Sequence, residues 1–387
     1  IIPTGALQAV GGECDGHRFG EGDLNVAIQI HIGRASTGHI LEDIANFRLG
    51  EGFDGGGIRG LIPGQILVAL EKKLQEKSKD PMARIATYFD FFAGTSTGGI
   101  LTCLLLCPDE HDPQKPKFSA EEAVDLYKRY GDKIFRVSFL SKLLNYKSMF
   151  SEKYPANNLE EVLLTYFRDK RLSELLKPCL ITSYDIQERK THFFASHDYP
   201  RKGDGGDFYL KDVCRATSAA PTYFEAALVK SISGVSYPMI DGGIFANNPS
   251  LCAYSEVRNS KGDPSAKDML ILSLGTGGEN KSYPYQKARA WGALGWIKPS
   301  IDIMMSGAAE STNYHLVKMF EVSGSEANYC RIQPEHLRNA VPEMDNASQQ
   351  NMQALIELGI KTAQDHSDQL DSIVDRIFED KDAVVFE

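Results

Sequence analysis

The stretch YFDFFAGTSTGGILTCLLLC at residues 88–107 decides the fold class of this chain. Residues 88–93 are mostly apolar and predict a short buried strand, whereas residues 100–107 predict a buried helix. Between them, Gly-Thr-Ser-Thr-Gly forms a sharp turn of the kind that joins a strand to a helix. Further strand candidates lie at residues 179–183, 191–195 and 269–274. Alternating strand and helix signals predict a three-layer α/β/α fold with a mostly parallel central sheet.

Composition excludes several classes of protein. The 387 residues are 42% hydrophobic and 24% charged, which is ordinary for a globular protein and excludes wholesale disorder, collagen-like sequence and coiled coil. The apolar run at residues 100–107 is ended by Pro108 and is far shorter than the roughly 20 residues of a spanning helix. A formal net charge of −10 argues against a nucleic-acid polymer as a partner, because that affinity comes from neutralised phosphates.

The cysteines give an expectation about compartment. Seven cysteines are dispersed along the chain without a Cys-x-x-Cys pair, so we expect neither a disulfide framework nor a structural zinc site. A reducing, cytoplasmic location follows as the expectation. The first residues, Ile-Ile-Pro-Thr-Gly, do not resemble a signal peptide.

Two regions of the chain differ in composition and in secondary-structure pattern. Residues 1–46 are Gly-rich, with one candidate strand at residues 25–32, and we assign them no role. Residues 47–387 are interpreted as one catalytic domain that ends in one or two packing helices from residue 348 onward. Within that domain, apolar residues at helical spacing predict an amphipathic helix around residues 66–74.

The first of three sites of chemistry is Asp-Gly-Gly-Gly-Ile-Arg-Gly at residues 54–60. Consecutive glycines let the backbone turn tightly and present N–H groups beside the positive end of the helix that follows. Such a pocket binds a phosphate or the oxyanion of an acyl-transfer intermediate. Taken alone, the Gly-x-Gly-x-x-Gly spacing fits a dinucleotide-binding loop equally well.

The second site is the turn at residues 94–98, which has the Gly-x-Ser-x-Gly pattern of a nucleophile elbow. The strand before it and the helix after it supply the context that this motif requires. Gly94 and Gly98 flank the serine because its backbone is strained and neighbouring strands approach closely. We therefore predict Ser96 as a catalytic nucleophile.

The third site is Asp241, which follows an apolar run and precedes Gly242 and Gly243. An aspartate held at the end of a strand can accept the proton of a serine hydroxyl. By itself, however, an Asp-Gly pair is equally typical of a turn.

The three sites, in this order, strongly resemble the patatin-like phospholipases, including their bacterial members. Secondary matches support the resemblance: Phe-Asp-Phe-Phe at residues 89–92, the Ala-rich run at 216–224, Leu-Ser-Leu-Gly-Thr-Gly at 272–277, Trp-Gly at 291–292 and Met-Asp-Asn-Ala-Ser at 344–348. The family usually has an apolar strand directly before the Gly-rich loop. Residues 46–53, Asn-Phe-Arg-Leu-Gly-Glu-Gly-Phe, depart from that pattern and do not predict a strand.

The resemblance implies a phospholipase A-type lipid acyl hydrolase that cleaves carboxylic esters of membrane lipids through an acyl-serine intermediate. It implies a Ser-Asp dyad of Ser96 and Asp241, without a metal or other cofactor. The residues that match the family's oxyanion hole are Gly55, Gly56, Gly57, Arg59 and Gly60. Some bacterial relatives are switched on by an activator, so a cyclic nucleotide or a protein is a hypothetical regulator here.

Two other functions remain open at this stage. A Ser-His-Asp enzyme of the α/β-hydrolase type would place its histidine last, and His315, His336 and His366 all follow Asp241. A nucleotide-binding module would instead use the Gly-rich loop for a pyrophosphate. Against it, residues 72–80 form a charged helix end, where that fold requires an acidic residue after a second strand.

Two stretches are candidates for contact with a membrane, which this enzyme would visit peripherally. Residues 131–153 are basic and amphipathic, as is typical of a segment that lies in the membrane interface. Residues 281–298 contain both tryptophans, and tryptophan is enriched at membrane interfaces. For both stretches, packing against the rest of the protein is the competing interpretation.

Overall fold

The computed structural model describes residues 48–54, 56–134, 154–260, 262–278 and 282–383. The segment 1–46, with its candidate strand at residues 25–32, lies outside the described residues. So does most of the basic amphipathic stretch, from residue 135 to residue 153.

A single mixed sheet forms the centre of the structure. Its strands are β1 (Arg48–Phe53), β2 (Phe91–Thr95), β3 (Cys179–Asp185), β4 (Lys190–Ala195), β5 (Ala227–Lys230), β6 (Ser236–Asp241), β7 (Met269–Leu274) and β8 (Tyr329–Ile332). They lie in the order β5-β6-β3-β2-β1-β7-β8, and β4 pairs with β3. Five adjacent strands are parallel, namely β3, β2, β1, β7 and β8. At the β3 end of the sheet, β4, β5 and β6 form antiparallel pairs. The predicted mostly parallel sheet is confirmed.

Helices cover both faces of this sheet. The longer ones are α1 (Leu61–Ser78), α2 (Thr97–Leu106), α3 (Ala120–Ile134), α4 (Asn157–Phe167), α5 (Leu210–Thr217), α6 (Ser250–Arg258), α7 (Ala293–Ser323), α8 (Gln349–Asp365) and α9 (Ser367–Ala383). Single helical turns lie at Tyr199–Lys202, Gly243–Ala246 and Tyr285–Ala288. Within the described ranges, no helix is both long enough and apolar enough to cross a bilayer.

The side chains of the central strands alternate between two apolar cores. Phe92 and Leu272 belong to the larger core, which they share with residues of α1 to α5, α8 and α9. Phe91 and Ile271, their neighbours in sequence, belong to a second core with residues of α6 and α7. Because successive side chains of a strand point to opposite faces, β2, β3 and β7 each contribute to both cores. The three-layer α/β/α architecture is thereby confirmed.

Strand β1 is one of the elements that the sequence analysis did not predict. It lies between β2 and β7 and is parallel to both, so it is central to the sheet. Its glycines do not interrupt it, and Gly52 has a packing reason. A Cβ atom at Gly52 would lie 2.3 Å from Ser250 Oγ, at the start of α6. The close approach of α6 therefore requires glycine in the strand.

Most other predicted elements are present, with shifted ends. The strand expected at residues 88–93 begins only at Phe91, because Tyr88 N–H and Phe89 N–H both donate to Ile85 O and form a tight turn. The helix expected at residues 100–107 begins earlier, directly after Ser96. The strand at residues 269–274 and two C-terminal helices occur as expected.

We expect Gly52→Ala to lower the free energy of unfolding by about 1–3 kcal/mol, because the added methyl group overpacks the contact between β1 and α6. Urea denaturation followed by circular dichroism measures the change. Gly292→Ala is the matched control, since a Cβ atom at Gly292 meets nothing within 4 Å. Equal unfolding midpoints for the two variants would contradict the packing role of Gly52.

Candidate active site

Ser96 occupies the sharp turn between β2 and α2 with a left-handed backbone, at φ 55° and ψ −121°. A residue with a Cβ atom pays about 1–3 kcal/mol for such a conformation, so the surroundings must enforce it. Ser96 N–H donates to Thr217 Oγ1 at 2.8 Å, and Thr217 Oγ1 donates to Thr182 O at 2.7 Å. The turn is thus tied to α5 and β3, as a strained elbow requires.

The flanking glycines allow the strand and helix of this elbow to touch. A Cβ atom on Gly94 would lie 2.5 Å from Gly98 O, which is a steric clash with backbone. Gly98 O also accepts a hydrogen bond from Thr102 Oγ1 at 2.9 Å. The close approach inferred for Gly94 and Gly98 from the motif is therefore present in the structure.

Asp241 ends β6, lines the same cavity as Ser96 and interacts with the Ser96 side chain. Only 2% of Asp241 is exposed, and its Oδ1 accepts from Gly243 N–H at 2.7 Å. Burial raises the pKa of Asp241 to about 7, and the hydrogen bonds from Gly243 and Ser96 oppose that rise. Gly242 lies against Thr182, where a Cβ atom would clash at 2.2 Å. Residues 145 positions apart are thus brought together as one buried pair.

Two residues of the Gly-rich loop line the same cavity as Ser96 and Asp241, namely Gly56 and Gly57. Gly57 has φ +55°, and a Cβ atom there would lie 2.2 Å from Met344 O. The next N–H group, that of Ile58, donates to Met344 O at 2.8 Å. The loop is therefore held by the C-terminal part of the chain while its glycine backbone faces the cavity.

Two other predicted loop residues, Arg59 and Gly60, do not line the cavity. Arg59 Nη1 donates to Gly277 O at 3.4 Å, and Arg59 does not line the cavity. Gly60 supports the elbow from behind, since a Cβ atom there would lie 3.1 Å from Thr97. Gly55 lies outside the described residues. Of the described loop residues, the structure thus brings Gly56 and Gly57 into the cavity of Ser96, and it does not bring Arg59 or Gly60 there.

An ion pair that the sequence did not reveal anchors the start of this loop. Arg331, on β8, donates from Nη1 to Asp54 Oδ1 at 2.8 Å and from Nη2 to Asp54 Oδ2. The same guanidinium donates to Ser273 Oγ at 2.8 Å and to Gln333 Oε1 at 2.9 Å. Only 12% of the Arg331 side chain and 4% of the Asp54 side chain are exposed. The partners are 277 residues apart, so no local pattern could have paired them.

The loop that carries Met344 is itself fixed by buried polar contacts. Tyr154 Oη donates to Asp345 Oδ2 at 2.8 Å. Asn351, on α8, accepts from Val341 N–H at 2.7 Å and donates to Asn346 O at 2.7 Å. The Met-Asp-Asn-Ala-Ser match at residues 344–348 therefore has a structural meaning, because it holds Met344 O against the Gly-rich loop.

The cavity that leads to Ser96 is lined mainly by apolar side chains. They come from α2, α3, α4 and α7 and from the segment after α5, and include Ile100, Leu126, Ile134, Leu159, Phe224 and Met305. An apolar wall of this kind suits an acyl chain better than a charged nucleotide.

No histidine lines this cavity among the described residues. His315 and His336 are exposed, and the ring of His366 hydrogen-bonds Gln369 Oε1 at 2.5 Å. The geometry thus favours a dyad over a Ser-His-Asp triad.

Comparison with known proteins agrees with this geometry. The sequence profile described as Patatin-like phospholipase matches residues 53–253, a range that holds the Gly-rich loop, the elbow and Asp241. Patatin-like protein 2 of Arabidopsis thaliana is 36% identical over 335 residues, which cover 79% of this chain and 80% of that protein. Patatin group D-2 of Solanum tuberosum is 34% identical over 323 residues, covering 79% and 81%.

Solved structures are similar only at a distance. Human GIVD cytosolic phospholipase A2 matches with a TM-score of 0.42 at 13% identity, covering 90% of this chain and 61% of that chain. The assignment to a family therefore rests on the sequence matches.

We expect Arg331→Met to lower the free energy of unfolding by about 3–5 kcal/mol, because it leaves the Asp54 carboxylate buried without its cation. The double variant Asp54→Asn, Arg331→Met should lose less, since no uncompensated charge is then buried. Urea denaturation of both variants measures the difference. An equal loss of unfolding free energy in the two variants would show that an unpaired Asp54 charge is not the cause of the destabilisation.

Proposed function

The chain belongs to the patatin-like phospholipase family and is a serine-dependent lipid acyl hydrolase; we propose that Ser96 is its nucleophile and Asp241 its general base. The observation that carries this proposal is that Ser96 and the buried carboxyl group of Asp241 line the same apolar cavity and interact with each other. A serine at a strained elbow and a carboxylate within hydrogen-bond reach are the two parts that nucleophilic ester cleavage needs.

In the first step, Ser96 Oγ attacks the ester carbonyl carbon while its proton passes to the Asp241 carboxylate. The electron pair of the carbonyl bond moves onto oxygen and forms a tetrahedral oxyanion. When this intermediate collapses, the bond to the alcohol breaks, and the alcohol leaves with the proton that Asp241 held. The acyl group remains on Ser96 as an ester.

The pKa of Asp241 suits this role. A carboxylate of ordinary pKa is a weak base at neutral pH, whereas one raised to about 7 by burial accepts a proton far more readily and is still substantially ionised. The hydrogen bond from Gly243 N–H to Asp241 Oδ1 restricts the orientation of the carboxylate. One aspartate thereby serves where a triad uses imidazole and carboxylate together.

The backbone N–H groups of Gly56 and Gly57 are proposed as donors to the oxyanion, because these two residues line the cavity beside Ser96. Each donor of this kind contributes about 2.7–4 kcal/mol to lowering the barrier. Arg59 is proposed to act at longer range, since its side chain is turned toward Gly277 O. Fixing the loop through Met344 O preorganises these donors.

In the second step, water attacks the acyl-Ser96 ester and gives its proton to Asp241. The intermediate collapses with release of the fatty acid, and the proton returns from Asp241 to Ser96 Oγ. Each proton that Asp241 takes up is thus released again within its own half-reaction. Neither half-reaction uses a group other than protein and water.

The substrate we propose is a membrane lipid cleaved in the manner of a phospholipase A, because the cavity wall is apolar and its polar groups cluster at Ser96 and Asp241. We propose residues 47–387 as one catalytic domain that works peripherally on membranes from the cytoplasm. The six cysteines among the described residues are free thiols, as is typical of a reducing compartment. The hypothesis of an activator is tested by assaying lipid hydrolysis with and without a panel of cyclic nucleotides.

We expect Ser96→Ala and Asp241→Asn each to lower kcat by about 10³-fold or more, because each removes one half of a unit that acts together. Release of fatty acid from phospholipid vesicles measures the loss, and thermal unfolding shows that the fold is kept. Ser218→Ala is the control, since Ser218 lines the same cavity without a proposed role. Hydrolysis that persists undiminished in either dyad variant would refute the proposal.

We expect kcat/KM to rise with pH up to an apparent pKa of about 7 and then to level off. The base form of Asp241 is required, and burial raises its pKa, so the protonated and inactive form prevails below neutrality. A neutral short-chain ester avoids titration of the substrate. A profile that stays flat between about pH 5 and pH 8, in protein that remains folded, would exclude Asp241 as the titrating base.

A further inference from the structure

The first half of α7 and the segment before it expose an unusual number of apolar side chains. Seven of the 17 exposed large hydrophobic side chains in the described residues fall within residues 283–304. They are Tyr283, Tyr285, Leu294, Trp296, Ile297, Ile303 and Met304, and we call them the apolar face. Exposed hydrophobic residues normally occur singly, and a cluster of them marks a site of interaction.

The spacing along α7 shows that this face is a continuous stripe. Residues 293, 296, 297, 300, 303, 304 and 307 recur at intervals of three and four, and they read Ala, Trp, Ile, Ser, Ile, Met and Gly without a charge. Farther along the helix, Leu316 and Phe320 are fully buried on the side that packs against the sheet. The outer side of a helix on a globular protein ordinarily carries the charged residues. The stripe defined above carries none of them.

The apolar face adjoins the catalytic cavity. Met305, the residue after Met304, lines that cavity together with Ser96 and Asp241. A Cβ atom at Gly243 would lie 3.1 Å from Met305 Cε, so α7 packs directly on the turn that carries the aspartate. A lipid that lies against the face is therefore beside the cavity that must receive its ester.

The aromatic residues of this region form one ordered cluster. The rings of Trp291 and Trp296 are 4.9 Å apart, and those of Tyr283 and Trp291 are 5.3 Å apart. Tyr283 Oη donates to Asp302 Oδ2 at 2.8 Å, which fixes the segment to the helix. Trp296 nevertheless remains 41% exposed. The rings therefore pack against one another, while part of Trp296 stays accessible to solvent.

The local charge is opposite to that of the whole chain. Residues 282–305 carry Lys287, Arg289 and Lys298 against the single anion Asp302, whereas the chain has a formal net charge of −10. Lys287 and Arg289 are exposed beside the apolar face. An exposed apolar stripe with tryptophan, tyrosine and cations at its border has the composition of a segment that lies in a membrane interface.

We propose that the apolar face docks on the surface of a lipid bilayer and presents the cavity to it. This inference rests on the proposed function, since it names the surface from which the same site takes its substrate. The helix lies in the plane of the membrane, with Trp296, Ile297, Ile303 and Met304 inserted among the head groups. Lys287 and Arg289 interact with the head groups of anionic lipids.

The test compares the variant Ile297→Glu, Met304→Glu with the matched control Leu164→Glu, Leu228→Glu. Leu164 and Leu228 are exposed apolar residues outside the face, and all four side chains are 45–68% exposed, so both variants should fold. Co-sedimentation with phosphatidylcholine–phosphatidylglycerol vesicles measures binding. We expect the face variant to bind at least 10-fold more weakly and to hydrolyse vesicle lipid correspondingly more slowly. The control variant should behave as the wild type.

A water-soluble monomeric ester separates docking from catalysis. The face variant should cleave this ester within about 2-fold of the wild-type rate, whereas Ser96→Ala should bind vesicles normally and cleave neither substrate. Persistent hydrolysis in Ser96→Ala would refute the dyad and leave the docking result standing. Unchanged vesicle binding in the face variant would refute the docking proposal alone.

Two further measurements distinguish the occupant of the face. Lys287→Glu, Arg289→Glu should weaken binding to anionic vesicles and leave binding to pure phosphatidylcholine unchanged; an equal effect on both would contradict the role given to these cations. Analytical ultracentrifugation reports whether the wild type self-associates. A dimer that dissociates in the face variant, with vesicle binding intact, would assign the face to a second copy of the chain and overturn the proposal.

Discussion

The contact of α2 with β2 at Gly94 is the constraint on which the rest of the site depends. Gly98 O lies where a Cβ atom of Gly94 would be, and so close a crossing leaves Ser96 in a left-handed conformation. Thr217 holds the strained turn through its N–H, and the backbone of Thr182 holds Thr217 in turn. Thr182 also lies against the turn after Asp241. Two threonines therefore connect the strained turn at Ser96 to the strand that ends at Asp241.

Burial gives this pair its chemistry. An aspartate in water is ionised at neutral pH and is a poor base, whereas desolvation raises the pKa of Asp241 to about 7. The cost is a buried carboxylate, which Gly243 N–H and Ser96 partly compensate. The apolar wall that desolvates the pair is the same wall that suits an acyl chain. In the proposed mechanism, binding of the acyl chain and activation of Asp241 as a base thus have the same physical cause.

The last third of the chain completes a site whose motifs all lie before it. Arg331 binds the first residue of the Gly-rich loop, Met344 O fixes the loop from the other side, and Met305 lines the cavity. Each of these residues lies beyond residue 253, where the family profile ends. The apolar face of α7 continues from Met305 to the surface, so the same third of the chain connects the cavity to the surroundings. The proposed oxyanion donors and the proposed route to lipid therefore both depend on residues outside the Gly-rich loop, the elbow and the Asp-Gly-Gly turn.

Short motifs predicted what local backbone geometry demands. A strained turn needs glycines around Ser96, and a loop of backbone donors needs consecutive glycines, so both are readable within a few residues. The sheet order, the central position of β1 and the pairing of Asp54 with Arg331 were not readable in this way. Glycine is unfavourable within a strand, and only the packing of α6 explains why Gly52 is present in β1. These features depend on which surfaces meet after the chain has folded, because burial and long-range contact are properties of the assembled layers rather than of neighbouring residues.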